Sequence, residues 1–260
     1  WNGGVLVAQA PELWFMKDSD GDGKADVRER LLQGLSTADT HHTANSFVFG
    51  PDGALYFQEG TFHQSQIETI WGPERNHDAC VWRFEPRTWR VERHVAYDFA
   101  NPHGHLFDRW GQEFVTDGTG NENYYALPFS GRVVFPQKHS PYFTFFQQRS
   151  RPCAGTEILS SRQFPPETQG DLLLCNVIGF QGIFRYHIED AGSGFSAREV
   201  EPLVSSSDPS FRPVDVEVGP DGAVYLLDWY NPIIGHMQHH LRDPNRDHDH
   251  GRVYRITCSA

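Results

Sequence analysis

No stretch of the 260-residue sequence reaches the ~18 consecutive apolar residues that a membrane-crossing helix requires, so no such span is expected. The opening, "WNGGVLVAQA", lacks the succession of charged, apolar and small residues that marks a signal peptide. Cysteine is scarce. The four present, Cys80, Cys153, Cys175 and Cys258, form no Cys-x-x-Cys pair. That excludes covalent c-type haem attachment within the chain and a thiolate zinc knuckle, while spacing leaves any disulfide pairing open. A basic stripe is also missing, and the formal net charge is −12. Phosphate backbones and anionic membranes need the opposite sign, so neither nucleic acid nor a lipid surface is an expected partner.

What the chain has in quantity is turn formers and aromatics: 24 Gly, 17 Pro and an aromatic share of 13%. Many short strands joined by tight turns suit that mixture. A repeat confirms the direction. "GPDGALYF" at 50–57 returns as "GPDGAVYL" at 219–226, with looser echoes in "DRWGQEFVTD" and "TQGDLLLCN". The turn glycines Gly53, Gly111, Gly170 and Gly222 are 58, 59 and 52 residues apart. Strand-like runs recurring at this period indicate propeller blades. The fold class predicted is all-β: a six-bladed β-propeller of which residues 1–260, read as one domain, supply about five blades.

Strands are expected at 5–9, 12–17 and near 26–33 in an incomplete first blade. The following blades run from 46 to about 97, 103 to about 135 and 154 to about 204. The last has strands at 214–218, 223–228 and 252–256 and no fourth. In such a blade the links from one blade to the next share a face with the loops between second and third strands. His41, His42, Asn101, Arg151 and Arg212 fall in the first kind of link, and Glu59, Asp117, Asn176 and Asp228 begin the second kind. They are therefore candidates for one site. The histidine pair in "DTHHTANSFVFGPDG" reads either as an acid–base group or as histidines hydrogen-bonded to a neighbouring loop.

Two loops carry metal-ligand chemistry. In "DSDGDGKADVRE", Asp18, Asp20, Asp22, Asp26 and Glu29 occupy positions 1, 3, 5, 9 and 12 of a calcium loop. Gly23 takes position 6, and the Lys24 carbonyl is the expected ligand at position 7. Three alternate aspartates repel one another without a cation. The preceding "ELWFMK" reads as a strand, so the loop sits on a hairpin and not between two helices. The long last loop, "DWYNPIIGHMQHHLRDPNRDHDHGR", holds His236, His239 and His240 among further histidines and aspartates. It suits either a transition metal or haem ligand set, or a loop folded by histidine–carboxylate hydrogen bonds.

"HHTANSFVFGPDGALYF" resembles the segment around the base of soluble quinoprotein sugar dehydrogenases, six-bladed propellers that use calcium and pyrroloquinoline quinone (PQQ). "NPHGHLFD" and "FRPVDVEVGPDGAVYLLD" resemble two further motifs of that family. The chain is also similar, through these segments, "DSDGDGKAD" and the last loop, to the propeller module of multi-module bacterial proteins named as membrane-bound dehydrogenases. The resemblance implies that His42 takes a substrate hydroxyl proton, with His41, Asn101 and Arg212 orienting cofactor or substrate. It implies oxidation of an alcohol or aldose, electron transfer to a c-type cytochrome domain in the same or another chain, and a periplasmic or extracellular location. Two quinone-binding arginines of that family are Ala100 and Val214 here, while Arg212 remains. Beside the dehydrogenase stand two other classes: a calcium-stabilised propeller that binds glycans or a protein partner without turnover, and a histidine-ligated metal or haem module.

Overall fold

The computed structural model describes residues 1–40, 42–120, 122–127, 129–140, 143–151, 153–234 and 242–258. The protein is an all-β propeller chain with five antiparallel blade sheets. The first blade is β1 (Val5–Gln9), β2 (Glu12–Lys17) and β3 (Val27–Gln33). The second pairs β4 (Asn45–Phe49), β5 (Leu55–Glu59), β8 (Cys80–Glu85) and β9 (Arg90–Val95) in that order. A hairpin, β6 (Gln64–Thr69) and β7 (Gly72–His77), is inserted between its middle strands.

The third blade is β10 (Pro102–Phe107), β11 (Glu113–Asp117), β12 (Asn123–Tyr125) and β13 (Thr144–Phe146). The fourth is β14 (Cys153–Ile158), β15 (Leu172–Asn176), β16 (Gly182–Ala191) and β17 (Gly194–Ser205). Three strands, β18 (Pro213–Val218), β19 (Val224–Asp228) and β20 (Arg252–Ile256), make the fifth. No helix among the described residues is long and apolar enough to cross a membrane.

The sequence expectation of a third blade ending near residue 135 is corrected: its last strand is β13, beyond an excursion of the chain. Residues 126–141 leave the blade and group with residues 1–102 as one compact unit, while 103–125 and 142–260 form the other. Within the first unit the excursion runs along β9. The Gly131 and His139 N–H groups donate to the carbonyls of His94 and Ala96, both at 2.9 Å. A strand edge that already has a partner cannot be read from turn spacing, so the excursion carries no repeat signal.

The middle strands β5, β11 and β15 are buried on both faces. All five residues of β5, of β11 and of β15 are buried. The two faces of β15 feed different cores: Leu172 and Leu174 pack with Phe114, Phe146 and Phe184, whereas Leu173 and Cys175 pack with Ile183, Val216 and Leu226. In the first unit Leu13, Phe15, Phe57, Trp82 and Phe84 share a third cluster. This is why "LLLCN" is a continuous apolar run and not an alternating one.

The repeated turn carries a repeated staple. Asp52 accepts from the Tyr56 hydroxyl at 3.0 Å and from Arg83 at 2.7 and 2.9 Å. In the fifth blade Asp221 accepts from Tyr225 at 3.0 Å and from Arg255 at 2.9 Å. The tyrosine and arginine are cross-strand partners in each case. The four repeat glycines all have positive φ, between 78° and 85°, which explains why glycine marks the period.

Strand β19 tests this account of facing. Leu226 is 1% exposed and its neighbour Leu227 is 44% exposed. Leu226→Ala is expected to cost about 2–5 kcal/mol and Leu227→Ala less than about 1 kcal/mol. Urea-unfolding midpoints measure the difference, and equal midpoints would contradict the facing described.

Candidate functional site

In the first unit, β5 ends in a buried polar assembly. Gly60 follows the strand, and its N–H donates to the His42 carbonyl at 3.0 Å. A Cβ at Gly60 would lie 2.7 Å from His42 Nδ1, so glycine is what lets the imidazole lie against this turn. His42 is 5% exposed, with the Phe62 ring 5.9 Å away. Glu59 accepts from Ser65 Oγ at 2.5 Å and from Asn76 Nδ2 at 3.1 Å. Lys138 donates to Asn76 Oδ1 at 3.1 Å and to the Ala79 carbonyl at 2.6 Å. His63 is also buried here, its carbonyl accepting the Asp78 N–H at 2.7 Å.

Burial pushes the Glu59 carboxyl up to about 7, against the donors Ser65, Asn76 and Trp82 that favour its anion. Burial also lowers Lys138. A carboxyl poised near neutrality beside a desolvated lysine can hold or release a proton at physiological pH. Glu59 was visible in the sequence as a loop-opening residue. His63, Ser65 and Asn76 come from or flank the inserted hairpin, and Lys138 comes from the excursion. The period of the repeat signals none of these.

His41 lies outside the described residues. Asn101 is half-buried just before β10, in the first unit with His42. Arg212 belongs to the second unit, where it is 6% exposed. Its guanidinium donates to the carbonyls of Val177, Asn231 (3.1 Å) and Pro232 (3.5 Å), and its N–H donates to Asp228 Oδ1 at 2.7 Å. Arg212 thus ties the last loop to the preceding blade. In the same unit His105 Nε2 lies 2.5 Å from Glu113 Oε1, both buried, and burial lowers His103 towards its neutral form. Burial, then the nearby Asp215, raises Glu157.

The acidic loop brings Asp18, Asp20 and Asp22 together, with one ligand oxygen from each within 4.8 Å of the others. Among the described residues no other histidine, cysteine and carboxylate group meets that distance. Asp18 accepts the N–H groups of Gly23 (2.8 Å) and Gly21 (2.7 Å), which hold its carboxyl below the ordinary range. Lys24 donates its N–H to Asp22 Oδ1 at 2.7 Å. Asp26 is turned to Ser19, accepting its N–H at 2.7 Å and its hydroxyl at 2.5 Å, and Glu29 stands in the β3 ladder opposite Phe15. The loop is therefore flanked by strands, and the structure gathers three of the named side chains and not all five.

His236, His239 and His240 lie outside the described residues. The described part of that loop is held by His250 Nδ1 at 2.9 Å from Asp247 and by Arg252 between Asp228 (2.7 Å) and Asp208 (3.1 Å). None of the four cysteines is in a disulfide among the described residues, and burial raises Cys80, Cys153 and Cys175.

The profile of the family described as a domain of unknown function, DUF7133, matches residues 1–260. The chain is a DUF7133 domain. No curated protein matches it. Solved structures similar to the DUF7133 domain include the apo soluble aldose sugar dehydrogenase of Escherichia coli, 16% identical, with a TM-score of 0.56 over 86% of this chain and 73% of that one. The PQQ-bound aldose sugar dehydrogenase of Streptomyces coelicolor is 14% identical, with a TM-score of 0.55 over 87% of this chain and 69% of that one. A luciferin-regenerating enzyme is 13% identical, with a TM-score of 0.60 over 99% of this chain and 75% of that one. At these identities the likeness shows a shared fold.

Glu59 makes the stability of the DUF7133 domain pH-dependent. Its folded pKa lies above the unfolded value, so the folded state holds the proton more tightly, and this group's contribution falls as pH rises from about 4.5 to about 7. Glu59→Gln is expected to flatten stability across that window relative to the parent. Melting temperatures at half-unit pH steps measure it, and parallel curves would remove the buried titrating carboxyl.

Proposed function

We propose that the domain is a sugar- or alcohol-dehydrogenase-like propeller that handles a substrate hydroxyl at the His42 end of blade two. The observation supporting this reading is the buried set of Glu59, His63 and Asn76 beside the Gly60 turn, with the half-buried Lys138 donating to Asn76. Burying such groups together is costly for a scaffold, and perturbed titratable clusters concentrate at functional sites. His42 accepts the proton of the substrate hydroxyl, while the hydride on the carbon bearing that hydroxyl goes to a two-electron organic acceptor of the quinone class, which then gives up its electrons singly. His41 and Asn101 orient the bound molecule. Electrons pass onward to a c-type cytochrome domain of the same or another chain, and the protein works in the periplasm or outside the cell.

The Streptomyces coelicolor aldose sugar dehydrogenase structure is a PQQ-bound form. The residues here do not fit PQQ. A trianionic quinone calls for guanidinium partners, yet positions 100 and 214 are Ala and Val, and Arg212 donates to three loop carbonyls. The proton chemistry assigned to His42 is accordingly independent of PQQ. The engagement of Arg212 favours a second reading, in which the propeller binds glycans or a protein partner without turnover. A haem or transition metal at His236, His239 and His240 is a third proposal, which visible absorption of the full-length protein tests.

For catalysis, His42→Asn is expected to lower kcat in a dye-coupled oxidation of alcohols and aldoses by about 10²–10⁴-fold while far-ultraviolet dichroism stays unchanged. A retained rate would sink the base assignment, and substrate binding without any turnover in the parent would favour the second reading.

We also assign calcium to the acidic loop. The carboxylates of Asp18, Asp20 and Asp22 supply hard oxygen ligands at the right mutual distances, with the Lys24 carbonyl, Asp26 and Glu29 as further ligands after local adjustment. Calcium is expected to raise the melting temperature in a concentration-dependent way. The rise should vanish in Asp20→Asn/Asp22→Asn, and an unchanged melting temperature in millimolar calcium would remove the site.

A further inference from the structure

The staple of Asp52, Tyr56 and Arg83 has a twin in blade five, and in blade two it borders a cavity. That cavity measures about 220 Å³ and lies wholly within the first unit. Its volume is below the ~300 Å³ at which pockets take drug-sized molecules, so it accommodates a single ring. At its base Tyr56 is 4% and Arg93 7% exposed. Arg93 is fixed there by the carbonyls of Val133 and Gln137. Arg83 forms one wall, held between Asp52 at 2.7 Å and Glu92 at 3.3 Å.

The rim is made by two residues of the excursion. Phe129 is 68% exposed and has φ of +68°, a left-handed backbone that strains a bulky residue. Folding gains little from a ring left in water, so the strain needs another reason. Arg132 lies over that ring at 4.9 Å, its side chain 60% exposed and 3.7 Å from Glu92. The cavity is thus lined by three guanidinium groups and two carboxylates, of which Arg83 and Arg93 are engaged by protein acceptors, while Arg132 and the Phe129 ring stand exposed at the rim. Guanidinium binds carboxylates in the plane, carboxylates accept sugar hydroxyls, and an aromatic face covers the C–H side of a sugar ring.

We propose that this cavity binds a small polyhydroxylated carboxylate of the sugar-acid class. Arg132 takes the ligand carboxylate, Asp52 and Glu92 accept its hydroxyls, and Phe129 stacks on its ring. The blade-five staple, Asp221, Tyr225 and Arg255, serves as the internal control: the same bonds, with no part in the site.

The experiment is calorimetric titration of the full chain with galacturonate as the probe. Saturable binding is expected, weakened about tenfold or more in Arg132→Gln, a loss of about 1.4 kcal/mol. Arg255→Gln should bind as the parent does. Phe129→Gly relieves the backbone strain, so it is expected to raise the melting temperature while weakening binding; that pairing separates a ligand role from a structural one. Galactose, which lacks the carboxylate, should bind at least about tenfold more weakly. No saturable heat at tens of millimolar galacturonate, equal binding by Arg132→Gln, or acetate binding as tightly as galacturonate would each overturn the proposal.

Discussion

The constraint on which the rest depends is the burial of the middle strands of blades two, three and four on both faces. A strand such as β15 contributes Leu172 and Leu174 to one core and Leu173 and Cys175 to another, so each sheet holds its shape only while it is covered on two sides. Every residue of β5, β11 and β15 is consequently buried, and the variable chemistry is pushed to strand ends, turns and insertions. The polar assembly around Glu59 begins at the last residue of β5 for that reason. The cavity by Asp52 begins at the turn that precedes the same strand. One middle strand therefore positions two unrelated polar sites, one at each end.

Most of the fold was legible because the turns impose a backbone that one residue type supplies cheaply. Gly53, Gly111, Gly170 and Gly222 all occupy the left-handed region, so their spacing registers the blades directly. The strands of blades one and five, and the bounds of blades two and four, follow within a residue or two of the expected positions. Blade three did not, because Ala126 begins a segment whose hydrogen bonds go to β9. Partners supplied by a distant strand leave no trace in local periodicity. The site was legible in the same uneven way. His42, Glu59 and the three gathered aspartates announce themselves by type and spacing, whereas Lys138 reaches Asn76 across 62 positions of chain.

The histidines and the arginine of the second unit show how residue type misleads when geometry is hidden. His105 Nε2 is paired with Glu113, and Arg212 donates to loop carbonyls. Both are ties between elements. An arginine whose donors are fixed on backbone oxygens has little left to offer a ligand, and burial lowers its pKa, disfavouring the charged form. The net charge of −12 works in the same direction, since it repels small anions everywhere except where guanidinium groups outnumber carboxylates locally.

The excursion along β9 has one more effect. A fourth strand at the side of a sheet presents free N–H and carbonyl groups, the template on which another chain can add a strand. Here the N–H groups of Gly131 and His139 occupy the carbonyls of His94 and Ala96. The segment is irregular, carries Arg132 and Lys138, and is interrupted by prolines, so it fills the edge without creating a new one of the same quality. Blade two is in this way insulated against strand exchange between molecules, by a stretch of chain too irregular to propagate the sheet.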